Sequence, residues 1–340
     1  MKYDQELLKI FTDLGLPKFR LKQLLSAIFS AGALNYNEIT VFSDTLKNKL
    51  ASSLPILSLV PVRHLVSVDG HTEKVAFRLV DGPLIESVLM HYRDGRNSIC
   101  ISSQAGCQMG CFFCATGTLK FSRNLTAEEI TDQVLYFQSR LLKKNQTVSN
   151  IVFMGMGEPF MNYDQVIRAI QILNHPDYFN FASRRITVST CGMVDGIKKL
   201  TNEKFQVNLA ISLHSAVQKT REKLMPVAKA YPLEDLLQVV GQYCQKTRRR
   251  VSFEYLLLKG VNDSANDALA LAKICRNKLI HVNLIPYNET NIHDLQDSTK
   301  DTVQNFQKIL QNEGVNVTVR VTMGQDIAAA CGQLANKLIS

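Results

Sequence analysis

No stretch of the 340 residues approaches the roughly 18 consecutive apolar residues of a membrane-spanning helix. A membrane span is therefore excluded. The start, M-K-Y-D-Q-E, has acidic residues where a secretory leader needs an apolar run. Cysteine is scarce: eight in 340 residues are too few for a disulfide scaffold. Together these absences place the chain in a reducing cytoplasm. Internal repeats and low-complexity tracts are lacking too. Tryptophan is absent, which excludes nothing. Acidic residues fall short of basic ones, 30 against 39, which leaves a net charge of +9. A surplus of this size suits a polyanion such as RNA.

What is present is a folded composition, 46% hydrophobic and 20% charged. Residues 1–50 read as helical. Leu7, Leu8, Phe11 and Leu14 repeat at helical spacing, and Leu21, Leu24, Leu25 and Ile28 follow after Pro17. Lys18, Arg20, Lys22, Lys47 and Lys49 make this part basic, either as an RNA-contacting face or as a solvated one. Residues 60–92 hold three β-rich runs, with Asp-Gly turns at 69–70 and 81–82 and a third at 94–95. We read 1–92 as an accessory RNA-binding domain, helical and then a short β meander.

From residue 93 strands alternate with helices. Strands are expected at 99–102, 151–154, 186–190, 207–213, 251–258, 281–285 and 316–321. Helices are expected at 126–143 and near 163–174, 234–247, 266–277 and 300–312. Thr126 and Glu129 form a capping box, and Ile130, Val134, Phe137 and Leu141 make one face. Alternation of this kind predicts βαβ units and a parallel sheet over 93–340. Periodicity leaves a partial barrel and an open doubly wound sheet equally available.

The densest chemistry is C-Q-M-G-C-F-F-C, with Cys107, Cys111 and Cys114 at C-x3-C-x2-C. Three thiolates without a fourth suit an iron–sulfur cluster with one open iron. A zinc site needs a fourth ligand nearby, and the next candidates, His175 and Cys191, complete no zinc pattern. Polar residues then recur where strands end. Gly157 and Glu158 lie in M-G-M-G-E-P, Ser189 in S-T-C-G, Ser212, Leu213 and His214 in S-L-H, and Asn288 in Y-N. The C-terminal ends of strands form the active face of such barrels. Cys100 and Cys331 stand apart from the trio. A lone cysteine is most often a buried core thiol.

The C-x3-C-x2-C spacing resembles the signature of radical S-adenosylmethionine (SAM) enzymes. The further runs R-N-L-T-A-E-E-I, L-M-P, G-V-N-D and A-A-C-G-Q-L, with Cys100 and Cys331, resemble the RlmN/Cfr family of radical SAM RNA methyltransferases over nearly the whole chain. The resemblance implies a partial (β/α)6 barrel and a [4Fe-4S] cluster on Cys107, Cys111 and Cys114. It implies two SAM per turnover, bound with help from Gly157, Glu158, Ser189, Ser212, Leu213, His214 and Asn288. One SAM would methylate Cys331, and a second would be cleaved to a 5′-deoxyadenosyl radical that activates that methyl group. Glu86 would be the base, and Cys100 would release the product and leave a transient disulfide. On the residues alone Glu86 is as readily a solvent-facing strand residue. The implied substrate is an adenosine of 23S rRNA at the peptidyl-transferase centre, in some members also tRNA. The implied electron donor is one such as flavodoxin, and a monomer is expected. Pro159, Glu254 and Pro286 resemble the RlmN side, which methylates C2, more than the Cfr side, which methylates C8. Rival readings are a zinc or iron–sulfur oxidoreductase and a basic RNA-binding protein with a structural cluster.

Overall fold

Three Asp-Gly pairs punctuate the first sheet segment, and each closes a turn. Gly70, Gly82 and Gly95 have positive φ. Their amides donate to the carbonyls of Ser67, Leu79 and Tyr92. Glycine meets this backbone demand without a Cβ penalty. The strands they join are β1 (Val60–Val66), β2 (Thr72–Arg78), β3 (Leu84–His91) and β4 (Asn97–Cys100), each antiparallel to the next. The computed structural model describes residues 5–290 and 292–335. Ahead of the sheet lie α1 (Gln5–Asp13), α2 (Lys18–Leu25) and α3 (Asp44–Ser53). Leu7, Phe11, Leu24 and Ile28 are buried as their spacing predicts, whereas Leu8 is exposed.

Beyond β4 the sheet turns parallel. The strands Gln104–Ala105 (β5) and Arg123–Asn124 (β6) form a separate short pair. The helix α4 (Ala127–Leu142) then leads to β7 (Asn150–Phe153), α5 (Tyr163–Asn174) to β8 (Ile186–Thr190), and α6 (Val194–Leu200) to β9 (Asn208–Ser212). Helices α7 (Gln218–Leu224), α8 (Val227–Ala230) and α9 (Leu233–Thr247) precede β10 (Val251–Leu257). The chain ends with α10 (Ala265–Cys275), β11 (Ile280–Pro286), α11 (Lys300–Asn312) and β12 (Asn316–Val319). The order β1-β2-β3-β4-β7-β8-β9-β10-β11-β12 makes one ten-stranded sheet. Its seven parallel strands and six crossovers are the expected partial (β/α)6 barrel. All seven expected strands are there. The capping box at Thr126 and Glu129 starts α4, and Ile130, Val134, Phe137 and Leu141 are buried along it. Burial of one such side chain is worth about 1.5–3 kcal/mol.

The meander is not a separate layer. β3 pairs with β4, so the sheet runs unbroken across residue 92. The N-terminal helices dock on the outside of the same assembly. The Ser58 amide and hydroxyl donate to Asp132 of α4 at 2.7 and 2.8 Å, and Ser139 Oγ donates to the Gly32 carbonyl. One apolar core holds Leu7 and Phe11 together with the barrel. No described helix is long and apolar enough to cross a membrane.

Glu73 of β2 ties the meander to α4. His64 Nε2 lies 2.8 Å and His91 Nε2 3.2 Å from its carboxylate, with Arg140 Nη2 of α4 at 3.4 Å. The His91 hydrogen bond and the Arg140 charge outweigh desolvation and hold Glu73 at about 2. His91 in turn is raised, chiefly by Glu73. The stabilisation linked to Glu73 is complete above the unfolded value near 4.3 and fades as pH falls towards about 2. The part linked to His91 is complete below about 6.5 and fades as pH rises through its raised folded value. Glu73→Gln should therefore lower stability by about 2 kcal/mol at pH 5.5 and by less at pH 8. Urea unfolding at the two pH values measures this, and an equal loss at both would refute the linkage.

Candidate active site

The strand β7 ends in Met154-Gly155-Met156-Gly157-Glu158, and this turn passes very close to the loop after β4. A Cβ on Gly157, whose φ is +99°, would lie 2.5 Å from Gln104 Cβ. A Cβ on Gly155 would lie 2.7 Å from the Ile101 carbonyl. Gln104 Oε1 accepts the Glu158 amide at 2.8 Å. The Glu158 carboxylate accepts amides from Phe160 at 3.0 Å and Cys191 at 2.7 Å. Burial pushes its pKa up in spite of those bonds. Glu158 faces a cavity with Ser189 at the end of β8, Ser212 at the end of β9, and His214. His214 has φ +56°, and its Nδ1 accepts the Leu256 amide at 3.0 Å. Burial, helped by the charge of Arg221, pushes it down to about 3. It is a neutral imidazole with Nε2–H left to donate. Leu213 does not face this cavity. Strand alternation turns its side chain into the apolar core, fully buried, which leaves its backbone as the part nearest the cavity.

Cys107, Cys111 and Cys114 line the same cavity from an irregular loop beyond β5. Burial pushes Cys107 up to about 11 and raises Cys111 and Cys114, and repulsion from a neighbouring thiolate adds to the shift in each. Among the described residues no three Cys, His, Asp or Glu side chains gather round a single ion position.

A second cavity adjoins the first, and Cys331, Cys114, Met154 and Arg320 border both. Cys100 and Cys331, 231 positions apart in the chain, both line the second one as free thiols. Neither is a core thiol. Cys331 is exposed, and Cys100 is reachable from the cavity, although burial pushes it up to about 12. The segment carrying Cys331 is tied down on three sides. The Ala115 amide donates to the Gly332 carbonyl at 2.7 Å, and Thr116 Oγ1 to that of Leu334 at 2.7 Å. Lys74 Nζ reaches the Ala328 carbonyl at 3.0 Å. Asn288 Nδ2 donates to the Cys331 carbonyl at 3.2 Å. The Asn288 Oδ1 is buried without a hydrogen-bond partner among the described residues.

Sequence comparison agrees with this arrangement. A family model described as the radical SAM superfamily matches residues 101–272. A protein of Protochlamydia amoebophila named "Probable dual-specificity RNA methyltransferase RlmN 2" is 45% identical over 94% of this chain and 89% of its own length. The chain belongs to the RlmN family of radical SAM enzymes. A Nitrosopumilus maritimus relative, "Ribosomal RNA large subunit methyltransferase N", is 42% identical over 98% of this chain and 97% of itself. The crystal structure of a radical SAM methyltransferase from Sphaerobacter thermophilus superposes with a TM-score of 0.93. It is 44% identical and covers 97% of this chain and 96% of that one.

Radical SAM enzymes use a [4Fe-4S] cluster and SAM, and the residues here fit both. The RlmN-type cavity offers three thiols from one loop, Cys107, Cys111 and Cys114. It also offers a glycine turn that brings backbone to the surface, and the adjoining second cavity offers an unpaired buried amide oxygen at Asn288. Glu86 differs from one expectation for it. It is buried rather than solvent-facing, and its carboxylate is turned to Lys74 Nζ and the Ala335 amide, each at 3.0 Å. Sequence reasoning missed Arg320, whose Nη1 lies 3.3 Å from Glu254 and 4.0 Å from Cys331 Sγ. It also missed Arg221 and the support from Gln104. A single arginine just past a strand, as in V-R-V-T, carries no signal without the partner it meets.

Changing Cys107, Cys111 or Cys114 to Ala should lower the iron and sulfide bound after anaerobic reconstitution and abolish SAM cleavage. Full iron content in any one variant would remove that thiol from the set. Gly157→Ala should cost about 1–3 kcal/mol of stability through strain and the Gln104 clash. Thermal unfolding of the cluster-free protein checks it, and an unchanged transition would refute the close-approach argument.

Proposed function

We propose that the protein methylates C2 of an adenosine in 23S rRNA, and in tRNA as well, through a methyl group carried on Cys331. The observation that supports this most is the position of Cys331. It borders both cavities, with the three-cysteine wall on one side and Cys100 on the other. An ordinary SAM site needs neither thiol. Adenine C2 is no nucleophile, so a polar methyl transfer fails there and a radical addition does not.

When bound on Cys107, Cys111 and Cys114, the cluster supplies the electron that cleaves SAM and so starts radical chemistry. Glu158, Ser189, Ser212, His214 and Asn288 hold SAM beside it, with Gly157 giving backbone access. Cys331 takes its methyl group from another SAM by displacement. A hydrogen atom would pass from that methyl group to the 5′-deoxyadenosyl fragment of the cleaved SAM, the carbon radical would add to C2, and the adduct would return one electron to the carrier that supplied it. Glu86 accepts the proton lost from C2, for which its Oε2 must let go of the Ala335 amide. The Cys100 thiolate then attacks Cys331 sulfur. The sulfur–carbon bond breaks, the released carbon takes a proton to become methyl, and a Cys100–Cys331 disulfide remains for reduction. Deep burial keeps Cys100 protonated until a base reaches it, which limits premature disulfide formation.

The charge of +9 supports an RNA partner, with residues 1–92 as the accessory unit that contacts it. A monomer in a reducing cytoplasm, served by a donor such as flavodoxin, completes the proposal. RNA binding should weaken steeply between 50 and 200 mM salt, as counterion release requires. A flat response in a filter-binding titration would mean the basic surplus is only a solvated surface.

Cys331→Ala should end methyl transfer, while Cys100→Ala should leave RNA covalently attached, because a thioether is not hydrolysed. Denaturing electrophoresis of labelled RNA reads the adduct, and mass spectrometry of the digested product reads the isomer. Normal turnover by Cys100→Ala sinks the two-cysteine mechanism. Methylation at C8 would assign the Cfr-type product. Full activity after Glu158→Gln, Ser189→Ala and Asn288→Ala would instead favour an RNA-binding protein with a structural cluster.

A further inference from the structure

The helix α7 holds a charge that the folded chain does not balance. Arg221 is completely buried, one of the largest side chains to be so. Its Nη2 donates to the Cys191 carbonyl at 2.6 Å. Its Nε and Nη1 have no hydrogen-bond partner, and no carboxylate among the described residues pairs with it. A buried cation in this condition costs several kcal/mol. The surroundings are built to keep it. Gly192 leaves the space, since a Cβ there would lie 2.8 Å from Nη2. The start of α7 is closed by Gln218, which bonds Glu222, the Ala228 carbonyl and the Leu233 amide.

What lies next to the guanidinium is the cysteine wall. Leu224 and Met225, one turn further on, pack with Cys191 in a small apolar cluster against which Cys111, Met109 and Phe113 rest. The Phe112 amide donates to the Leu224 carbonyl at 2.9 Å, which ties the cysteine loop to the end of α7. The ionisable side chains whose charge bears on Arg221 are Cys191 and Cys111.

We propose that Arg221 is the counter-charge of the iron–sulfur cluster, left unpaired in the protein until the thiolates and the core arrive. The inference rests on the reading of Cys107, Cys111 and Cys114 as cluster ligands. Three thiolates outweigh the positive charge of the core, and one-electron reduction adds a further negative charge. A fixed buried cation favours that reduced state and raises the midpoint potential. It therefore makes the cluster easier to reduce in an apolar pocket that would otherwise resist added charge. Arg221 is a positioning residue in this scheme and touches no substrate.

The test compares wild type, Arg221→Met and Arg221→Lys after anaerobic reconstitution, at matched iron and sulfide content. A reductive titration with dithionite, followed by electron paramagnetic resonance, reads the potential. Arg221→Met should shift it to more negative values, and Arg221→Lys, which keeps the charge, should stay near wild type. The cluster-free proteins provide a second reading with the opposite sign. There Arg221→Met should unfold at the same temperature as wild type or higher, because an unpaired buried charge has gone. Loaded Arg221→Met should unfold lower than loaded wild type. A potential unchanged in Arg221→Met at equal cluster content overturns the proposal, and so does a cluster-free Arg221→Met that fails to fold. A wild-type chain that binds no iron and sulfide overturns the cluster reading along with it.

Discussion

Two hydrogen bonds join the cysteine loop to the last described turn of the chain, Ala115 amide to Gly332 carbonyl and Thr116 hydroxyl to Leu334 carbonyl. The site depends on them because the barrel does not close. β4 and β12 are not neighbours in the sheet, which continues from β4 into the meander instead. The gap leaves a path by which residues after β12 can return to the first strand. Lys74 and Glu86 of the meander receive that segment, through the Ala328 carbonyl and the Ala335 amide. The meander is thus one wall of the active site. A closed eight-stranded barrel would have no place for Cys331 beside Cys100.

Around this seam the protein places charges where water is scarce and compensates each in a different way. The Glu158 carboxylate is held by two amides, at Phe160 and Cys191. Glu254, whose pKa is raised by burial, is shared between Arg320 and Asn283 Nδ2 at 2.8 Å. Arg221 has one carbonyl and two idle nitrogens. In a medium of low dielectric these differences are large. Asn288 Oδ1 is idle in the same sense, on the other side of Cys331.

Local order was well legible. Asp-Gly pairs closed turns, the Thr126–Glu129 capping box opened α4, and each expected strand formed within a few residues of its place. These features depend on near neighbours in the chain, as do period-two and period-3.6 burial. The three clustered cysteines were legible for the same reason, since their spacing confines them to one loop. The burial of Glu86 and the role of Arg320 were not. Glu86 alternates with apolar residues, as a surface residue does, and only Lys74 across the β2–β3 pair and the returning tail make it interior.

The sequence by itself determined the alternation of strands and helices, the turn positions, the cluster loop and the basic balance of charge. Each is set by backbone sterics, side-chain period or simple composition, and none needs a distant partner. Tertiary structure alone decided that the sheet runs on from β4 into the meander, that Glu86 is buried against Lys74, and that Arg221 is buried without a counter-ion among the described residues. Those outcomes depend on which remote groups meet once the core excludes water, because the cost of a charge or a free thiol is set by what surrounds it after folding.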